Sequence, residues 1–389
     1  MDIILVFAVV LVVAILLSDL ADRSVLSTAV VFLVAGFMVG EGVLDFLLVR
    51  PEDPEVRTIA EVALFAVLFT DGMKVGARDL AGAWRLPGRA LVFGLPLTLL
   101  FTAVAARFLG DLPWGHAFLV GAVLSPTDPV FAAALVGREG VPRRLSHLLN
   151  VESGLNDGLA LPIVVALLAT VGDGSTNAVH LAGDPVLGVT IGVIVPLVAI
   201  RIEETRFFLA ASNYEPLYPF AIGLLIFALT SVIDANLFLA AFAAGVTVAT
   251  VSERFKEAFH RFGDLVSELL KLAAVLIFGA LISPDFLSDV SLGGYLFAIF
   301  AVALARPVAL LISFLGSGID QREWMAAAWF GPKGFASVVY GLLILESGVG
   351  LADRMFHLVA IAVALSIIAH SSTDVVIARR FRGVDIRPV

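Results

Sequence analysis

Apolar stretches of about 20 residues recur along the whole chain, and they limit the fold more than any other feature. A helix of that length crosses the hydrocarbon core of a bilayer. Of the 389 residues, 60% are hydrophobic and only 15% are charged, and the mean hydropathy is +1.01. The sequence therefore predicts an all-α polytopic membrane protein. Cysteine is absent, which excludes disulfides, thiolate metal sites and cysteine nucleophiles.

Thirteen candidate transmembrane spans can be placed along the sequence, and the N-terminal stretch is interpreted as a retained helix rather than a cleaved signal peptide. Lys and Arg are concentrated in the C-terminal tail and in the loops that follow spans 1, 3, 5, 7, 9 and 11. Because basic residues mark cytoplasmic loops, the N-terminus is expected outside and the C-terminus in the cytoplasm, in a plasma or inner membrane. The spans are 2–18, 26–42, 58–75, 90–109, 114–137, 147–171, 186–203, 215–233, 235–252, 262–283, 292–315, 323–346 and 355–377.

Two spans that lie seven apart contain helix-breaking residues near their middle. Span 5 carries "LSPTDPV" and span 12 carries "FGPKG", and proline removes a backbone donor and clashes with the preceding turn. An odd number of spans also permits two inverted six-helix repeats joined by span 7, within one membrane domain over residues 1–389. We expect the two broken helices to cross near the membrane centre, with Asp128 and Lys333 offsetting their half-helix ends. A simple proline kink with snorkelling charges is the alternative.

The polar segment "NVESGLNDG" of span 6 supplies the candidate ion site. A spacing of four places Glu152 with Asn156 on one strip of the helix, and Ser153 with Asp157 on the adjoining strip. A buried carboxylate can hold either a proton or a monovalent cation, and competition between the two is the simplest form of exchange. Asp157 is therefore predicted to be the transport carboxylate, and the alternative is a structural salt-bridge helix without transport.

Three basic residues, Lys271, Arg306 and Lys333, lie at membrane depth, where a charge needs a partner or a task. Arg306 is predicted to pair with Glu152, because a guanidinium suits a buried bidentate contact. Lys271 is interpreted as a local partner of Glu268, near the cytoplasmic end of span 10.

The end of span 3, "LFAVLFTDGMKVG", places Asp71 close to one membrane face, with Lys74 one turn later. Asp71 is interpreted either as a further ion ligand or part of a gate, or as one member of an ordinary solvated Asp-Lys pair. Helical spacing alone does not distinguish the two interpretations. His370, near the end of span 13, is interpreted as a hydrogen-bonded histidine rather than a pH sensor.

Taken together, these motifs resemble those of the monovalent cation:proton antiporters, in the sodium/proton exchanger branch marked by an Asn-Asp pair. The resemblance covers essentially the whole chain. It is carried by "PTDPV" at 126–130, "ESGLNDG" at 152–158, "ARP" at 305–307 and "GPKG" at 331–334. The run "GPKG" departs from the family, in which an arginine is usual where Lys333 stands.

This resemblance implies core helices over about 90–171 and 292–377, which contain crossed discontinuous helices 5 and 12. These would move against scaffold helices, over about 2–75 and 186–283, that form a homodimer. No cofactor is implied beyond the transported Na⁺ and H⁺, exchanged one for one. The implied roles are Na⁺ or H⁺ binding at Asp157 with support from Asn156, further Na⁺ oxygens from Ser153, Thr127 and Asp71, and structural charge compensation by Asp128 with Lys333 and by Glu152 with Arg306.

Several other functions fit parts of the sequence. A K⁺/H⁺ antiporter of the same fold is the nearest, since no motif measures the size of the ion site. An intramembrane aspartyl protease would need two carboxylates poised on water, and a cation channel would conduct without regard to the proton gradient. No extended basic surface suggests a nucleic-acid partner, so the expected partners are monovalent cations, protons and the lipid bilayer.

Overall fold

The computed structural model describes residues 3–17, 27–50, 53–74, 86–128, 143–172, 178–205 and 211–381. All regular structure within these ranges is helical, which confirms the predicted all-α class. Fourteen helices carry labels here, and short helices such as Pro284–Asp289 do not. They are α1 Ile3–Leu16, α2 Thr28–Val39, α3 Pro54–Lys74, α4 Leu86–Phe108, α5 Trp114–Val123, α6 Arg143–Val171, α7 Ala178–Glu203, α8 Leu217–Ile233, α9 Leu237–Val251, α10 Glu253–Ala280, α11 Leu292–Ser313, α12 Gln321–Trp329, α13 Phe335–Glu346 and α14 Ala352–Phe381.

Four segments in the described part of the chain are long and apolar enough to cross a membrane by length and composition alone. They are Leu86–Phe108, Asp184–Glu203, Leu292–Ser313 and Ala352–Ser371. Large apolar side chains also point outward on other helices, for example Leu16 at 77% and Val232 at 81% exposure. Such surfaces suit contact with lipid. The full number of thirteen crossings stays a prediction.

Helix α10 begins earlier than the predicted span 262–283. Its first turns, "ERFKEAFHR", are too charged to count as a membrane span, but Phe255 and Phe259 bury one face of them. Ser252 caps the helix by accepting a hydrogen bond from the backbone N–H of Phe255. The helix therefore extends beyond the predicted span, because hydropathy does not register an amphipathic, capped turn.

Two helices contain a π-helical turn immediately before a proline. In α4 the turn is Ala90–Gly94, followed by Leu95 and Pro96. In α11 it is Ala301–Ala305, followed by Arg306 and Pro307. A π turn widens the helix by one residue and re-aims the side chains that follow it. The turn in α11 therefore determines the direction in which Arg306 leaves its helix.

Glycines allow two pairs of helices to approach closely. A Cβ atom on Gly279 of α10 would collide with the backbone carbonyl of Leu33 in α2, and one on Gly245 of α9 would collide with that of Phe69 in α3. Small residues are the usual means of close helix packing in membranes. These contacts fix α3 and α10, which carry Asp71 and Lys271, against their neighbours.

Candidate functional site

Two non-helical backbone segments meet inside the helical bundle. Helix α5 ends at Val123, and the chain is non-helical through Asp128, while residues 330–334 interrupt the helix between α12 and α13. The backbone N–H of Asp128 donates to the carbonyl of Pro332 at 3.0 Å. Pro129 lies outside the described residues. Each segment thus satisfies part of the other's exposed backbone, as unwound backbone at membrane depth requires.

The carboxylate of Asp128 lies at the N-terminal end of α13. Its Oδ2 accepts a hydrogen bond of 3.1 Å from the backbone N–H of Phe335. A negative charge here is stabilised by the free N–H groups of the first turn. On its other oxygen, Oδ1, the ammonium of Lys271 lies 3.8 Å away. Asp128 therefore joins three elements, namely its own segment, α13 and α10.

Asn156 of α6 ties the site helix to the unwound segment. Its Nδ2 donates to the backbone carbonyl and to the Oγ1 of Thr127, both at 2.8 Å. Both amide hydrogens are used in this way, and the Oδ1 of Asn156 is buried with no hydrogen-bond partner. The amide is therefore oriented with a bare acceptor oxygen on its other side.

Asp157, the next residue, is only 4% exposed, and its Oδ1 also lacks a hydrogen-bond partner. Its backbone carbonyl accepts a hydrogen bond from the hydroxyl of Tyr340 in α13 at 3.1 Å. Asp71 and Asp128 lie within electrostatic range of its carboxylate. The side chain of Ser153, a predicted ligand one turn earlier, lies outside the described part of the structure.

Asp71 is buried at 3% exposure, which argues against a simple solvated pair. The ammonium of Lys74 lies 3.2 Å from its Oδ1 and also bridges to Asp264 of α10 at 3.1 Å. The Oδ2 of Asp71 has no hydrogen-bond partner. Among the residues that the structure describes, no three His, Cys, Asp or Glu side chains are grouped as metal ligands. A cation here would accordingly rely on no more than two carboxylates together with neutral oxygens.

Glu152 and Arg306 form a bidentate pair. Nη1 donates to Oε1 at 2.6 Å and Nη2 to Oε2 at 2.9 Å, and both side chains are buried. Nη2 also donates to the carbonyl of Ala327 in α12 at 3.1 Å. The pairing that the sequence suggested is thus present, and it links α6, α11 and α12.

The predicted partner of Lys271 differs from the one in the structure. Lys271 pairs with Asp128 rather than with Glu268, because the buried side chain turns across to the unwound segment instead of along its own helix. Lys333 lies in the interruption between α12 and α13, where it was predicted to offset a half-helix end. Its Nζ is buried without a hydrogen-bond partner, and its backbone N–H donates to Ser366 at 2.7 Å.

His370 is held as the sequence suggested for a hydrogen-bonded histidine. Its Nδ1 lies 2.8 Å from the carbonyl of Ser366, and its ring packs 4.9 Å from that of Trp329. The same Ser366 accepts the hydrogen bond from Lys333. Sequence reasoning missed this serine and Tyr340, because neither stands in a motif and both act through partners distant in the chain.

A helical membrane bundle in which interrupted helices meet beside buried carboxylates defines an ion-coupled secondary transporter. The description "Sodium/hydrogen exchanger, transmembrane" belongs to the family whose model matches residues 7–379. The chain belongs to this family, and it is a cation/proton antiporter.

Named relatives and solved structures agree with this assignment. The K(+)/H(+) antiporter NhaP2 of Shewanella baltica (strain OS223) is 24% identical over 395 residues, which cover 99% of this chain and 67% of that protein. The probable Na(+)/H(+) antiporter C3A11.09 of Schizosaccharomyces pombe is 26% identical over 307 residues, 72% of this chain and 40% of that protein. The structure of the sodium proton antiporter MjNhaP1 from Methanocaldococcus jannaschii at pH 8 shares the fold, with a TM-score of 0.77, 19% identity and coverage of 98% and 99% of the two chains.

Proposed function

We propose that this protein exchanges Na⁺ or Li⁺ for H⁺ by alternating access to Asp157. The observation that carries the proposal is a pair of buried oxygens without partners, Oδ1 of Asp157 and Oδ1 of Asn156, on adjacent residues of α6. A buried acceptor without a donor costs about 1–3 kcal/mol, so its retention points to a ligand that comes and goes. A proton or a small cation satisfies a carboxylate oxygen, and each excludes the other.

In this proposal only Asp157 exchanges its proton for a cation, so one cation is exchanged for one proton. Asn156 contributes an oxygen without a second exchangeable proton. Its amide is held by Thr127, whose carbonyl keeps a lone pair for the cation. Asp71, with a bare Oδ2, and Ser153 complete the proposed Na⁺ ligands. Asp128, Lys333, Glu152 and Arg306 remain structural charges in this proposal.

At the level of the fold, we propose thirteen crossings and two inverted six-helix repeats. The π turns before proline in α4 and α11 occupy equivalent places in the two halves, as do the interruptions after α5 and between α12 and α13. The helices of residues 90–171 and 292–377 would move as a core against a dimeric scaffold of residues 2–75 and 186–283. The N-terminus would lie outside the cell membrane.

K⁺/H⁺ exchange is the second candidate, and the names of the NhaP2 relatives favour it. The geometry at Asp157 suits any monovalent cation that two carboxylates and a few neutral oxygens can hold. Transport measurements with each cation therefore decide between the two.

Proteoliposomes with an inward-acidic proton gradient and a pH-sensitive dye provide the test. We expect addition of Na⁺ or Li⁺ to collapse the gradient in the wild type and not in Asp157→Asn. The matched control is Asp234→Asn, because Asp234 is exposed and adopts a left-handed conformation that asparagine also tolerates. Retained exchange in Asp157→Asn would overturn the proposal. A response to K⁺ alone would establish the second candidate.

A further inference from the structure

Lys271 is a buried cation that the proposed exchange does not use. It projects from α10, is 9% exposed, and its Nζ lies 3.8 Å from the Oδ1 of Asp128. The distance allows an ion pair but is longer than the charge-assisted contacts between Glu152 and Arg306. The ammonium is therefore attracted to Asp128 without being saturated by it.

The same ammonium lies within electrostatic range of the other carboxylates of the site. The negative charges of Asp71, Asp157 and Glu268 attract the Lys271 ammonium. The ammonium of Lys74 lies close enough to interact with it repulsively. The close contact of α10 with α2 at Gly279 holds the helix backbone in place. A positive charge held 3.8 Å from Asp128 thus acts electrostatically on the carboxylate at which a transported cation would bind.

We propose that Lys271 sets the cation affinity of the site by weakening the binding of any positive charge at Asp157. This inference rests on the function proposed above. Transport requires release as well as binding, so a site of several carboxylates gains from a built-in opposing charge. One unit charge a few ångströms away in a partly polar interior changes an affinity by about tenfold or more. Lys271 is accordingly a positioning residue and does not itself bind the substrate.

The opposing charge acts equally on Na⁺ and on H⁺, since each carries one positive charge. Removing it strengthens the binding of both by the same factor. Where protons do not compete, at alkaline pH, the half-saturating Na⁺ concentration falls by that factor. Where protons compete strongly, at acidic pH, the two gains cancel and the half-saturating concentration stays unchanged. A loss of packing alone would not shift the half-saturating Na⁺ concentration at alkaline pH while leaving it unchanged at acidic pH.

The experiment compares Lys271→Met, Lys271→Arg and wild type in proteoliposomes over a range of pH. We expect Lys271→Met to lower the half-saturating Na⁺ concentration about tenfold at the alkaline limit and to meet the wild-type value at the acidic limit. Lys271→Arg keeps the charge and should follow the wild type. Lys256→Met is the matched control, about 22 Å away along the same helix at 1.5 Å per residue.

Equal half-saturating concentrations of wild type and Lys271→Met at alkaline pH would overturn the inference, as would a shift of the same size at every pH. If Lys271→Met does not fold, Lys271→Gln takes its place. Lys271→Arg still tests whether a retained positive charge preserves the wild-type half-saturating concentration. The proposed exchange at Asp157 is tested separately, because transport by Asp157→Asn would overturn it. If Asp157→Asn is inactive and Lys271→Met has the wild-type half-saturating Na⁺ concentration, only the role of Lys271 is overturned.

Discussion

At the scale of single residues, the site is distinguished by polar atoms that lack partners. Asp71, Asn156 and Asp157 each bury one acceptor oxygen without a donor. Glu152 and Arg306 show the opposite, because their charged atoms are paired in two short contacts. Glu152 lies on helix α6 about one turn before Asn156 and Asp157. The satisfied pair fixes the helix, and the unsatisfied oxygens are available to a cation or a proton.

The buried pair yields a prediction about stability. Glu152→Gln leaves Arg306 buried and uncompensated, and we expect a loss of about 3–5 kcal/mol in the free energy of unfolding. Removing both charges in Glu152→Gln/Arg306→Gln should cost less than the sum of the single changes. Denaturant unfolding in detergent measures this. The control is Asp111→Asn, which breaks an exposed contact with Arg354 and should cost less than about 1 kcal/mol. Additive losses would contradict a direct pair.

At the scale of helices, sequence predicted the elements better than their contacts. Long apolar runs determine where helices form, so the helices fall within or near the predicted spans, and α10 departs where an amphipathic start escapes hydropathy. The π turns in α4 and α11 were missed, although Pro96 and Pro307 inside apolar runs were a usable signal. The glycine contacts were also missed, because a glycine shows its neighbour only once the helices are packed.

The contact between α2 and α10 can be tested by adding one methyl group. A Cβ on Gly279 would collide with the carbonyl of Leu33, whereas nothing lies near a Cβ on Gly350. We expect Gly279→Ala to lower the melting temperature, with a cost of about 1–3 kcal/mol from overpacking. Gly350→Ala, the same change in open space, should leave the melting temperature within error. Equal melting temperatures for the two variants would show that α2 and α10 do not approach as described.

At the scale of the whole molecule, the sequence predicted which charges are buried but not all of their partners. The pairing of Glu152 with Arg306 was deduced from chemistry, since a deep guanidinium needs a carboxylate. Lys271 was assigned to its neighbour Glu268, because local spacing is visible in a sequence and a contact with a distant loop is not. The unwound segment at Asp128 brings that partner within reach only in the folded bundle.

The number of membrane crossings is a whole-molecule property that the absence of cysteine makes easy to test. Ser212, before α8, and Ser288, after α10, are both exposed. If α8, α9 and α10 all cross, these residues lie on opposite sides, with Ser288 outside. If only the four segments that qualify by length and apolarity cross, none lies between the two serines, and both are on one side. An impermeant maleimide on intact cells should therefore label Ser288→Cys, and should label Ser212→Cys only after the cells are permeabilised. If both variants showed the same labelling pattern, the number of crossings between the two residues would be even, which contradicts three.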